Sequence, residues 1–195
     1  EAMLIPVYFL IGGYGSGQRA AAAIKFLLYS LFGGLLMLAS VIALYVISGN
    51  QGGHTFDIGA LSQLQLDKGT QNWLFLGFFI AFAIKAPLWP LHTWLPTAAR
   101  SSSAGVATLL LGVLDKVGTY GMIRFCMTLF PEATRTFTPA IITLAVISIL
   151  YGAFLAIGQR DINSLISFTS ISHFGFITLG IFALTSQGLS GASFY

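Results

Sequence analysis

The sequence predicts an all-α, polytopic membrane bundle in which one helix is broken by proline, and three observations carry that expectation. Of 195 residues, 56% are hydrophobic and only 8% charged, against roughly 25% charged in soluble domains, so a single water-facing core is excluded. Apolar stretches near the ~20 residues that cross a bilayer as helix recur along the whole chain, and the mean hydropathy is +0.85. Inside one stretch Pro87 and Pro90 follow Lys85 within five residues; each proline removes an intrahelical hydrogen bond.

The elements follow from this scan. A partial helix occupies roughly 1 to 13, and full spans are expected at about 21 to 48, 73 to 96, 104 to 130, 138 to 158 and 165 to 185. The joints between them are GYGSGQR, the Gly-rich stretch from SGNQGG to LDKGTQ, TAARSSS, PEATRTF and QRDINS, rich in turn-forming residues. The whole chain, 1–195, reads as one transmembrane segment. Because Glu1 runs at once into apolar MLIPVYFLIGGY, it is expected to be cut from a longer membrane protein. Basic residues favour the cytoplasmic side. Arg19, Arg100 and Arg160, with Lys25 close by, gather in alternate joints, while Lys68 and Arg135 lie opposite with Arg124 near them. The bias places the 97 to 103 and 159 to 164 joints in the cytoplasm and the 49 to 71 loop outside.

Charge and cysteine content narrow the function. Nine basic and six acidic residues are scattered singly, without a basic tract, which argues against nucleic acid as a partner. Cys126 is the single cysteine, so an intrachain disulfide or cysteine-held cluster is excluded. GGYGSG lacks the strand, P-loop lysine and downstream acid of a nucleotide site and reads as a turn. No His, Cys or carboxylate set has metal-ligand spacing.

What remains is a set of ionisable groups at membrane depth. Lys85 in FLGFFIAFAIKAPLWPLHTWLP and Lys116 in ATLLLGVLDKVGTYGMIRF would each cost about 2.5–3.5 kcal/mol at a helix centre in lipid, and such residues usually face an interior or a water-filled path. Lys85 lies within a turn of the break, and broken backbone at that depth is tolerated only inside protein or along a cavity. A nearby carboxylate favours a lysine's charged form; Glu1 is the candidate partner of Lys85, with an exposed terminal residue as the alternative. Asp115 adjoins Lys116, yet neighbouring helical residues do not face each other. It either pairs with another helix or serves as a local counter-ion to Lys116 or Arg124. His173, among Ser167, Thr169, Ser170 and Ser172, and His92, after the break, are candidate relays because imidazole titrates near neutrality; structural roles are the alternative for both.

Three stretches, FFIAFAIKAPLWPLHTWLP, LLGVLDKVGTYGMIRF and DINSLISFTSISHFGF, together resemble the antiporter-like subunits of respiratory complex I, over the whole chain. The resemblance implies an antiporter-like fold running from a fifth to a tenth helix. It implies that Glu1 and Lys85 form a switchable pair, that Lys116 is the central proton carrier, and that His173 is the polar-axis histidine. It further implies a non-redox subunit of a translocase in a bacterial inner membrane, with no cofactor in this chain. NADH, FMN, iron–sulfur clusters and quinone belong to partner subunits of the complex. Thr97, Asn163, Ser164 and the Arg100–Ser103 stretch depart from the family's usual residues, all at the cytoplasmic surface. Two other readings stand beside this one: a subunit of a multisubunit sodium/proton antiporter or membrane-bound hydrogenase, and a structural scaffold.

Overall fold

A computed structural model describes residues 2–51 and 53–195, and within them the chain is helical from end to end. The elements are α1 (Leu4–Tyr14), α2 (Arg19–Asn50), a short α3 (Ile58–Leu61), α4 (Lys68–Lys85) and α5 (Trp94–Ser101). A composite helix, Ala104–Met127, follows. It alternates α6 (Ala104–Leu109), a π segment (Leu110–Leu114), α7 (Lys116–Gly121) and a second π segment (Met122–Met127). Last come α8 (Pro131–Ile157), α9 (Ile162–Phe182) and α10 (Ser186–Phe194). Four helices, α2, the composite helix, α8 and α9, are long and apolar enough to cross a membrane. The remaining expected span is divided between α4 and α5, with residues 86–93 as the gap.

Several joints read from polarity turn out to be helix. PEATRTF opens α8, because Pro131 stands at the first helical position with Glu132 in the first turn; proline's fixed φ suits that place, and an acid there complements the helix dipole. Asp161 accepts a hydrogen bond from the Ser164 amide and caps α9, Asp67 caps α4, and most of TAARSSS completes α5. At the far end the chain reverses through Leu184, whose φ is +53°, into α10, a helix the sequence scan does not anticipate.

Two apolar cores hold the bundle. One joins α4 to the later helices through Phe75, Phe78 and Phe82 with Phe130, Phe174 and Phe182. Phe75 stacks on Phe137 at 5.4 Å and Phe78 lies 5.6 Å from Phe130; each such ring pair contributes about 0.5–1.5 kcal/mol beyond burial. The other core gathers Ile11, Phe26, Ile84, Trp94, Leu110 and Leu114. In lipid, helix association relies on close packing and small residues, and α8 and α9 show it. A Cβ at Gly152 would lie 2.7 Å from the Ser172 amide nitrogen, and one at Gly175 would lie 2.8 Å from the Ala145 carbonyl oxygen.

The joints assigned to one side of the membrane do converge. The Ser16 amide donates to the Ser101 carbonyl at 2.8 Å, and Arg100 Nε donates to Ser164 Oγ at 2.9 Å. Three of the positions that depart from the family's usual residues, Arg100, Ser101 and Ser164, therefore make contacts at this surface.

Candidate functional site: a helix break between charged groups

The break after Lys85 frees backbone groups that an unbroken helix would pair, and several of them find other partners. Ala86 N–H still reaches the Phe82 carbonyl (2.7 Å), but Leu88 N–H bonds back to Ala83 at 3.0 Å, leaving the Ile84 carbonyl behind. The buried Trp94 indole donates to that carbonyl at 2.9 Å. Trp89 N–H donates to Ser148 Oγ on α8 at 3.3 Å. Unpaired backbone in such surroundings costs several kcal/mol per group, so Trp94 and Ser148 make the break tolerable. The helix stops at Lys85, as the prolines predict.

Beyond the gap, Lys25 on α2 donates to the Thr93 carbonyl at 2.8 Å and makes a long 3.4 Å contact with Thr97 Oγ1. Tyr29 and Thr93 hydroxyls share a 2.8 Å bond. Thr97 thus takes part in the polar surface around Lys25. The charge-bias reading counts Lys25 only toward orientation. Its place within the apolar run AAAAIKFLL was the available signal for more.

His92 is buried, with Nδ1 lacking a hydrogen-bond partner, and its ring meets Tyr151 edge-on at 4.9 Å. It lines a cavity of about 670 Å³ together with Ser16, Thr97 and Arg100. This polar pocket is on the side where the same-side joints meet. It places His92 with Thr93, to which Lys25 donates, and with Arg100.

The composite helix packs its middle against the break. A Cβ at Gly118 would lie 2.7 Å from the Phe82 carbonyl oxygen and 2.8 Å from the Ala86 Cβ, so only glycine allows this approach. One turn earlier stands Asp115, fully buried, both carboxylate oxygens without a hydrogen-bond donor. It is close enough to feel the charges of Lys85 and Lys116. Lys85 is half-buried, and Lys116 is exposed on the outer face of the described chain. The residue of this helix turned into the described core is Asp115, and Lys116, about 100° around the helix from it, lies on the face that the described chain leaves open.

Lys116 nevertheless has His173 as a neighbour. Both line an open groove of about 840 Å³ with Thr108, Thr169 and Ser170. The ammonium lies 6.0 Å from the Phe174 ring centre and 3.4 Å from the Tyr195 carbonyl oxygen, and the His173 ring is edge-on to Tyr195 at 5.1 Å. The expected pairing of Glu1 with Lys85 lies outside the described residues. Among the described residues no three His, Cys, Asp or Glu side chains gather as a metal site would require.

The comparisons with known proteins agree with this architecture. The family model described as NADH:quinone oxidoreductase/Mrp antiporter, TM, matches residues 1–195. NADH-quinone oxidoreductase subunit M of Mycobacterium tuberculosis is 55% identical over all of this chain and 36% of its own length. Subunit M of Rhodobacter capsulatus is 39% identical over all of the chain and 40% of its own. Among solved structures, respiratory complex I from Thermus thermophilus with bound NADH superposes with a TM-score of 0.91 at 38% identity, covering 98% of this chain and 40% of that one. The Mrp complex from a Dietzia species gives 0.84 at 26% identity, covering 99% and 36%. The chain spans about two fifths or less of these relatives. With a match along its whole length and a helix broken after Lys85, the chain belongs to the NADH:quinone oxidoreductase/Mrp antiporter family of membrane subunits.

Proposed function

We propose that this segment carries protons through a membrane subunit of a complex I-type NADH:quinone oxidoreductase, in a bacterial inner membrane, and that redox chemistry takes place in partner subunits holding NADH, FMN, iron–sulfur clusters and quinone. The observation that carries the reading is the seating of Lys116's helix against the break beside Lys85, where Gly118 meets Phe82 and Ala86. Lys85 receives a proton beside the helix break and Lys116 is the central carrier. Glu1 holds Lys85 charged until it withdraws. His173, across the groove from Lys116, takes the proton onward. His92, in the polar pocket with Arg100, serves the approach to the break.

The energies are commensurate. Moving one charge against 100 mV costs about 2.3 kcal/mol, and a lysine pKa swing of two units supplies about 2.7 kcal/mol. Identity favours complex I over the Mrp antiporter: 55% to subunit M of Mycobacterium tuberculosis against 26% to the Mrp complex chain.

The test is Lys116→Ala in the full-length subunit within its native complex. Vesicle acidification driven by NADH should fall sharply while complex abundance is unchanged, because no neighbouring group replaces a titratable amine there. Normal pumping at normal abundance would remove the carrier role. Copurifying subunits separate the rivals: NADH-oxidising partners support this reading, and their absence favours an antiporter or a scaffold.

A further inference from the structure

Of the described acidic side chains, Asp115 alone is buried, and it is buried without a single hydrogen-bond donor to either oxygen. Buried carboxylates ordinarily accept hydrogen bonds or meet a cation. Here the neighbouring charges are Lys85 from α4 and Lys116 from its own helix, ammonium groups that, on the reading above, gain and lose protons.

The backbone explains how it gets there. Asp115 N–H bonds to the Leu110 carbonyl at 3.2 Å, five residues back, closing the π segment Leu110–Leu114. Such bulges inside α-helices frequently mark functional sites. The wider turn shifts the helix face just before the charged pair. Asp115 and Gly118, three residues apart, then lie on one face, and Gly118 is the point of contact with Phe82 and Ala86 beside Lys85.

From this placement we propose that Asp115 is a proton carrier between Lys85 and Lys116, an inference that rests on the proton-translocation reading. The Lys85 N–H bond breaks as an O–H bond forms on an Asp115 carboxylate oxygen. That O–H then breaks as an N–H forms on Lys116, and Asp115 returns to carboxylate. One proton has moved and no electrons change hands. Where the gap exceeds hydrogen-bond reach, a water carries the proton across. The arrangement is self-timing, because two nearby groups with strong interaction titrate as a unit. The carboxylate is stable while a lysine beside it is charged and takes up the proton as that lysine gives it away. The groups that set its pH dependence are Lys85 from α4 and Lys116 on its own helix, with His173 of α9 acting on Lys116 across the groove.

The experiment compares Asp115→Asn, Asp115→Glu and Lys116→Ala in the full-length subunit of the intact complex, reading NADH oxidation, vesicle acidification, complex abundance and the pH profile of pumping. Asp115→Asn keeps the shape and removes the titration; pumping through this subunit should fall on the order of a hundredfold, the lower end of what a positioned acid–base group contributes, at unchanged abundance. Asp115→Glu should recover most of it with a displaced pH profile. If Lys116→Ala abolishes pumping while Asp115→Asn pumps with the parent's rate and profile, the inference is overturned and the broader reading survives. If Lys116→Ala pumps normally, the broader reading fails first. Should Asp115→Asn not assemble, infrared difference spectra decide. A carboxyl band that comes and goes with turnover and moves in Asp115→Glu supports the carrier, and identical spectra in the two proteins overturn it.

Discussion

The α8–α9 pair and the α4–composite helix pair solve the same packing problem in opposite ways. Both bring two helices close through glycine: Gly152 and Gly175 in the first pair, Gly118 in the second. Yet α8 and α9 each run as one continuous helix, α8 through Pro139, and where they touch, the groups in contact include Ser148, Ser172 and Ile149. Ser172 Oγ donates to the Ile149 carbonyl at 3.0 Å, a backbone-directed bond that needs no titration. The second pair ends one helix at Lys85, inserts two π segments in the other and buries Asp115. The first π segment ends directly at the buried Asp115. On the proton-carrying proposal, glycine contact alone marks packing, whereas glycine contact beside irregular backbone and an ionisable group marks a working site.

The sharpest way to break this comparison is to spoil each glycine contact in turn. Gly118→Val forces a side chain onto Phe82 and Ala86, and overpacking typically costs about 1–3 kcal/mol. It should lower the thermal stability of the complex and also lower the number of protons moved per NADH in whatever assembles. Gly152→Val should cost stability by a similar mechanism but leave protons per NADH unchanged in the surviving complex. Equal effects on that ratio would mean the two contacts do not differ in function.

A second, comparable effect belongs to the break itself. Trp94→Phe keeps an aromatic ring but strands the buried Ile84 carbonyl, which should cost about 1–3 kcal/mol and show as a lower melting temperature of the purified complex. Ser148→Ala, which removes a longer 3.3 Å bond to Trp89 N–H, should cost less. An unchanged melting temperature in Trp94→Phe would show that water, not the indole, satisfies the break.

The proposed Glu1–Lys85 pair allows a coupling measurement. Glu1→Gln and Lys85→Ala should each reduce pumping, and a double-mutant cycle should show non-additivity of about 0.5–3 kcal/mol, the range for groups in contact. Simple addition of the two effects would mean no pair exists.

How much of this was legible in the sequence depends on the kind of signal. The membrane class and four of the five full spans followed from length and hydropathy, and the break at Pro87 followed from a rule of covalent geometry. Helix starts were missed at Pro131 and Asp161 because polar first-turn residues look like loop, although both carry N-terminal signatures that capping chemistry explains. The site was less legible. Adjacent lysine and aspartate can be told apart by face only once the helix phase is known, and a π segment shifts that phase without leaving a mark in the side-chain pattern. Hence the sequence left open whether Asp115 pairs with another helix or serves as a local counter-ion. Lys25 and Trp94 escaped because their partners, the Thr93 and Ile84 carbonyls, are backbone groups made available by the break. Of the hydroxyl residues around His173, Thr169 and Ser170 line its groove, while Ser167 and Ser172 turn to backbone carbonyls.

The smallest effect lies at the surface joint that opens α9. The Ser164 amide, at 2.9 Å, and the Ser164 hydroxyl, also at 2.9 Å, both donate to Asp161, and together with the nearby Arg100 they hold its carboxyl below the usual carboxylate range. A carboxyl depressed in the folded state stabilises it fully above its ordinary value, about 3.9, and that contribution is lost as pH falls through the lowered folded value. Stability should therefore be insensitive to this residue's protonation from neutral pH down to roughly 4, with the loss confined to more acid solution. Asp161→Asn retains a capping oxygen but has no proton to gain, so its melting temperature should follow a flatter acid limb than the parent's. Because the group is on the surface, the difference should shrink in high salt, where its attraction to Arg100 is screened. A parent and variant with superimposable acid limbs at low salt would show that the cap contributes through geometry alone, making this joint, like the α8–α9 contact, a place where charge has no part.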